Sequence, residues 1–343
     1  MALTYGRKFR LFQTVVSTII LISGSRASGT AIPRFNLEEL VSSSELIAVG
    51  QVGPTKTVRV GVVRFPAETV PSQVFSVDVS VLRLVKGECA SEITATYSIP
   101  SGRTSGYHAI GTGTRIVFLR RDGRELTVTN PYYPSLPASA ATPGASDANP
   151  AARVVDELGA VLASETELAS SKQQVLDVAY GLPPNELFTA SLRRALDTDD
   201  LDLRYRVMAN LIRRHDLTVL PRATELLLTP DFPESYRSML DYAIGTSVTD
   251  PVSVPLLSRL VHSGYAPTRA AIMQAFWHIG TRSVIPFATK ALADPDLKTR
   301  YYAVRALADA TGQLEWGPSI PEFEENGSKY IQHWLEWSKV QPQ

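Results

Sequence analysis

The side chains able to do acid–base or metal chemistry are few and scattered. Five histidines, His108, His215, His262, His278 and His333, are the natural candidates. No two stand three or four residues apart, the spacing that would put two imidazoles on one helix face around a zinc ion. His278 follows Trp277 and precedes Gly280 at the end of a helical pattern. There an imidazole packs against a helix end or meets its dipole. Cys89 is the one cysteine, and its neighbour Glu88 opposes thiolate formation, so it is a poor nucleophile. Being alone, it also excludes an intramolecular disulfide framework and any cluster of thiolate ligands. Ser101-Gly102-Arg103-Thr104-Ser105-Gly106 and Gly111-Thr112-Gly113 are glycine-rich but lack the strand-to-helix setting and the Gly-Lys-Ser/Thr ending of a phosphate cradle. They fit a hairpin loop better. No Gly-Xaa-Ser-Xaa-Gly elbow occurs. The run Glu322 to Glu325 is expected to be a solvated loop. The residues thus point to no catalytic, metal or cofactor set: no enzyme and no cofactor are expected.

What is patterned is the scaffold. Ala195-Leu196-Asp197-Thr198-Asp199-Asp200-Leu201-Asp202-Leu203-Arg204-Tyr205 recurs further along as Ala291-Leu292-Ala293-Asp294-Pro295-Asp296-Leu297-Lys298-Thr299-Arg300-Tyr301. The interval between the two copies divides into three nearly equal steps, marked by Arg204, Arg237, Arg269 and Arg300, each opening an apolar helical pattern. Pro221, Pro255 and Pro286 lie between them, before second helical patterns, where a first-turn proline is tolerated. An earlier partial unit has Lys172 placed one such step before Arg204, and Leu187 to Leu196 as its second helix. Four to five helical pairs are expected over residues 151–311, enough for stacking to build a continuous core. Tyr330, Trp334 and Trp337 then fall at i, i+4 and i+7 on one helix face. They form either a cap over the last pair or an aromatic contact face.

The paired helices, with Asp200/Arg204 and Asp296/Arg300 each followed by a tyrosine, resemble a HEAT repeat array of the bacterial HEAT-like subtype. The resemblance implies an Asp–Arg ladder between neighbouring repeats. Arg237 and Arg269 depart from it, having no Asp four residues earlier.

Upstream, residues 35–134 carry the two-residue period of strands. A short helix over Phe35 to Ser43, capped by Asn36, precedes strands at Leu46 to Val52, Thr57 to Phe65, Val74 to Val85, Glu92 to Ile99, Thr114 to Arg120 and Glu125 to Thr129. In the third strand Phe75, Val77, Val79 and Val81 give way to Leu82 and Leu84, a change of phase that predicts a bulge or bend. Ile116 to Leu119 is apolar throughout, which predicts burial on both faces, and Asp122-Gly123 is a hairpin turn. Ser44 to Val52, Val85-Lys86-Gly87 and Gly113 to Leu119 together resemble an OB-like barrel of the netrin or tissue-inhibitor type found in exported bacterial proteins. The amino-terminal cysteine and disulfides of the animal inhibitors are missing, so their metalloprotease mechanism does not carry over. Such a barrel could bind single strands or sugars, but basic and acidic residues nearly balance over 32–135, too even a charge for a nucleic-acid groove. Pro134, Pro137, Pro143 and Pro150, set among Ala, Ser, Gly and Thr, mark residues 135–150 as a connector. The expected fold class is α+β and multidomain: a small antiparallel OB-like β-barrel (32–134), then an α-α superhelix of HEAT-like repeats (151–326) and an aromatic capping helix and tail (327–343).

The leading segment, residues 1–31, contains Arg7, Lys8, Arg10 and Arg26 and no acidic residue, with an apolar stretch from Leu11 to Ile22. This is the basic head and apolar core of a secretory signal peptide, cleaved after Ala27 or Ala31. The alternative is an uncleaved anchor, although a spanning helix needs about 20 apolar residues. The 343-residue chain has 34 basic and 34 acidic residues. Removal of the leader makes the remainder acidic, against a nucleic-acid partner. The sequence therefore points to an exported, periplasmic or extracellular scaffold whose solenoid surface binds another protein, with membrane contact only through an uncleaved leader. The alternative is a ligand-binding protein or enzyme whose site lies where the β domain meets the helices.

Overall fold

The computed structural model describes residues 33–64, 69–102, 107–141, 143 and 149–340. The expected leader, residues 103–106 of the glycine-rich loop and most of 142–148 lie outside them. Arg34–Gln343 forms one compact unit.

Helix α1 (Leu37–Ser43) starts where Asn36 Oδ1 accepts from the Glu39 N–H at 3.2 Å, with Glu38 and Glu39 in its first turn. Seven strands follow: β1 (Leu46–Val52), β2 (Lys56–Arg64), β3 (Thr69–Lys86), β4 (Glu92–Pro100), β5 (Gly113–Asp122), β6 (Glu125–Val128) and β7 (Ser135–Pro137). β1 lies between β3 and β5 and is antiparallel to both. It approaches β3 so closely that a Cβ on Gly50 would stand 2.5 Å from Val79 Cγ1 and 2.8 Å from the Ser80 carbonyl oxygen. The change of phase in β3 is a real irregularity: Val49 pairs with Arg83 and Gly50 with Val81, so Leu82 is passed over and turns to solvent.

The expected small antiparallel OB-like barrel followed by a HEAT-like superhelix is corrected here. The amino-terminal part is a mixed sheet, not such a barrel, and a helical region follows it. Strand parity explains the mixture. β1, β3 and β4 alternate in direction, and β5 opposes β1. The tight turn at Gly123 (φ 61°) sends β6 back along β5, and that direction is parallel to β4, which it meets at Ala95↔Leu126 and Thr96↔Thr127. Two strands lie off the main strand path or outside the expected set: β2, expected at Thr57 to Phe65, pairs with β3 and with no other strand among the described residues, and the unexpected β7 pairs with β5 at Arg115↔Pro137 to Val117↔Ser135. β7 occupies the proline-rich segment that composition marks as a connector, and all three of its residues are buried.

β5 is buried on both faces, as its apolar run predicts. Val117 and Leu119 join Leu46, Val77, Val79, Ala95 and Tyr97 in one cluster, whereas Ile116 and Phe118 face a second cluster shared with the helices. That second cluster runs from Ile47 and Val49 through α2 (Pro150–Ala163), α3 (Ala169–Val178) and α4 (Glu186–Ala195) to the carboxy-terminal helices. Polar ties reinforce the junction. Arg83 donates from Nε to Glu157 Oε1 at 2.6 Å and from Nη2 to Glu157 Oε2 and the Ser139 carbonyl, while Arg153 donates to the Leu84 and Val85 carbonyls. The Glu157 side chain is only 4% exposed, so this pair is inside the protein.

The remaining helices alternate long and short: α5 (Leu201–Arg213), α6 (Leu220–Leu228), α7 (Glu234–Ser247), α8 (Val254–Leu257), α9 (Ala266–Ile279), α10 (Ile285–Ala291) and α11 (Leu297–Thr311). Pro221, Pro255 and Pro286 sit in the first turns of the short helices, where the missing N–H is no loss. The long helices pack each on the next, α5 to α7 to α9 to α11. Helix α12 (Ile320–Lys339) is longer than its aromatic pattern alone predicts. Ser319 and Glu322 form a capping box and Pro321 opens the first turn, so Glu322 to Glu325 is helical rather than a solvated loop, with a kink at Asn326.

Candidate functional site

The four repeat arginines share one structural task. Each sits in the first turn of a long helix and reaches back to backbone carbonyls in front of it. Arg204 donates to the Thr198 carbonyl; Arg237 donates to Leu227 and Thr229 at 2.7 and 2.8 Å; Arg269 donates to Ser263 at 2.8 Å; Arg300 donates to Asp294 and Pro295 at 2.6 and 2.9 Å. They satisfy carbonyls left open where the previous helix ends. Asp200 and Asp296 act differently from ladder residues, each capping its own helix by accepting from the Leu203 and Thr299 N–H groups. An Asp–Arg pair between units is made instead by Arg269, which holds Asp294 through two bonds of 2.7 and 2.9 Å. Arg237 is 2% exposed and its guanidinium lies 3.8 Å from the centre of the Tyr265 ring.

The aromatic tail divides. Trp334 is fully buried and donates from Nε1 to the Trp316 carbonyl at 3.3 Å; Tyr330 and Trp337 are half-buried against the same core. His333 stacks flat on Trp316 at 3.6 Å. This end of the molecule is mostly packing.

A further set, unseen in the sequence, lies on the exposed sides of the long helices. Arg213, Thr246, His278 and Asp309 stand at the same step beyond the four repeat arginines and all reach the surface, and an earlier shared position in the last three units adds Tyr242, Gln274 and Arg305. Neighbouring helices join through these residues. Arg206 bonds Asp202 on its own helix at 2.7 Å and Asp177 on α3 at 3.4 Å. The Arg213 guanidinium lies 5.2 Å from the centre of the Tyr242 ring, and that residue is 60% exposed. Trp277 donates from Nε1 to Asp309 Oδ2 at 2.7 Å, stacks on Tyr302, and receives the Arg305 guanidinium 4.5 Å from its ring centre. Burial pushes the Asp309 carboxyl up, against the Trp277 hydrogen bond and the Arg305 and His278 charges. The outcome is a row of arginine and aromatic side chains on α5, α7, α9 and α11, tied at one end to Asp177 of α3. Aligning the units on their arginines would have exposed this register; periodicity alone could not, because it does not say which polar side stays uncovered.

Cys89 is half-buried and its thiol is pushed up mainly by burial. Among the described residues no group of three or more His, Cys, Asp or Glu side chains is placed to hold a metal ion, and no helix is long and apolar enough to cross a membrane. Compared with known proteins, the chain matches no family model and no curated relative.

Proposed function

We propose that the chain is a non-enzymatic, exported scaffold that holds a partner protein along the surface of its long helices. The observation that carries this is the run of Arg206, Arg213, Tyr242, Trp277, Tyr302 and Arg305 across four consecutive packed helices. Arg, Tyr and Trp are the side chains that dominate binding energy at protein interfaces, and an array of helical pairs offers them over an extended area. The even spacing of the long-helix starts supports kinship with HEAT-like arrays, and the basic head and apolar core of residues 1–31 support export. The test is affinity capture from the native host with purified chain, comparing Tyr242→Ala/Arg213→Ala with an Arg222→Ala control on α6. A specific partner held by wild type and control and lost by the double variant supports the reading. Equal capture by all three overturns it.

A second reading places a ligand at the junction of sheet and helices, and one observation favours it. Arg115, pulled down to about 10 by burial, bonds Gln174, Ser135 Oγ and the Ser135 carbonyl, and no carboxylate is paired with it among the described residues. A small carboxylic acid that raises the melting temperature of wild type but not of Arg115→Gln would support this site; no shift with acetate, succinate or citrate would remove it.

A further inference from the structure

The least covered part of the described sheet is β2. It pairs with β3 and with no other strand among the described residues, so one edge of it is free. Its valines are strongly exposed: Val58 by 50%, Val60 by 80% and Val62 by 62%. Register explains the pattern, since directly opposed residues of an antiparallel pair share a face. Val60 stands beside Gln73 and Val62 beside Pro71, and both partners are exposed; Gly61 and Arg59 stand beside Ser72 and Val74, and both of those are buried. The sheet therefore presents an apolar stripe to solvent along an unpaired strand. Natural edges are normally blunted by inward charges, proline or bulges. The one bulge here, at Thr57/Arg59, lies near the start of the strand and leaves Arg59 to Arg64 regular, a length of about 20 Å at about 3.3 Å per residue.

Charge decides what this edge can accept. β2 carries Lys56 and Arg59, which register places on the face opposite Val60 and Val62, and it has no acidic residue. A second copy pairing through the same strand would bring two more basic side chains to the face of Lys56 and Arg59, with no acidic residue of β2 to meet them. Lys56 and Arg59 are matched only by surface pairs with Asp78 and Glu125, in which all four side chains stay open to solvent; such pairs are weak and exchangeable. We propose that β2 receives an extended segment of another protein, about six residues long, in which β-branched and acidic residues alternate. It adds as an edge strand, its apolar side chains lying beside Val60 and Val62 and its carboxylates on the opposite face with Lys56 and Arg59. The proposal is independent of the helical surface.

Full-length chain lacking residues 1–31 is titrated with acetyl-Thr-Glu-Val-Glu-Val-Glu-Thr-amide and with the same peptide bearing Lys for Glu, while amide exchange is followed by NMR. The acidic peptide is expected to bind, to slow exchange over Arg59 to Arg64 at least tenfold, and to weaken as salt is raised. Val60→Glu/Val62→Glu is expected to lower that affinity at least tenfold with an unchanged melting temperature, whereas Tyr242→Ala/Arg213→Ala leaves it unaltered. Equal binding of both peptides, binding of neither, or concentration-dependent dimerisation that protects β2 without peptide each overturns the proposal.

Discussion

Asp241 is a buried acid with little support. It is 4% exposed, accepts one hydrogen bond from Thr268 Oγ1 at 2.9 Å on Oδ2, and has no hydrogen-bond partner on Oδ1. Burial pushes its carboxyl up to about 6, against the Thr268 bond and the Arg237 charge. An acid whose folded pKa exceeds its unfolded value binds more protons when folded. Its contribution is therefore full below about pH 4 and lost as pH rises through about 6. Urea denaturation should show stability falling by about 2 kcal/mol from this group between those limits, and Asp241→Asn should flatten the slope there; an unchanged slope would show that Asp241 is not its source. Arg237 is better held, with both carbonyl partners in place on its two Nη atoms although its buried Nε has no partner. Arg237→Ala should cost about 3 kcal/mol in the same measurement, and Arg237→Lys should recover little, because an ammonium lacks the planar fork that reaches Leu227 and Thr229 from separate nitrogens while lying on the Tyr265 ring. The position of Arg237 is legible from spacing alone. Its task is not, since it reaches carbonyls eight and ten residues earlier, across a turn whose path only the fold sets.

Between helical units, Arg269 and Asp294 form an ion pair enclosed on both sides, at 13% and 10% side-chain exposure. Burial would raise the Asp294 carboxyl, but the hydrogen bonds from Arg269 and from the Asp296 N–H, with the Arg269 and Arg300 charges, hold it below its ordinary value. A lowered carboxyl contributes stability above the unfolded pKa and loses it as pH falls through the folded one. Asp294→Asn should cost about 3 kcal/mol at pH 7 and show less acid sensitivity below about pH 4. A double-mutant cycle with Arg269→Gln should return most of that cost as coupling; additive effects would mean that the two side chains act separately. The sequence carries both residues but pairs neither with the other, because the interval between them crosses a whole short helix and its turns. Local features were more accessible: the Asn36 cap, the Gly123 turn, the phase change at Leu82 and the first-turn prolines all follow from neighbouring residues. The parallel meeting of β4 with β6 does not, since it depends on the directions of three other strands.

At the scale of the molecule, sheet and helices share one apolar cluster, with Arg83 and Glu157 bonded across the boundary. Glu157→Gln leaves the Arg83 charge inside without its partner, an expected cost of about 3 kcal/mol or more in denaturant titration. Because the cluster is continuous, amide protection in β1 and in α5 should fall together in hydrogen exchange; loss confined to the sheet would show two independently stable parts. Composition divides the chain at its prolines, yet Ser135–Pro137 joins the sheet as β7, because Leu136 fills the shared cluster. The placement of β1 also orders events in time. Leu46 through Val52 are the first strand among the described residues, but one of their two neighbours is β5, whose matching residues run from Leu119 back to Gly113. Until that stretch has left the ribosome, β1 has an unfilled edge on its β5 side. The first strand of the described residues is thus among the last to be completed.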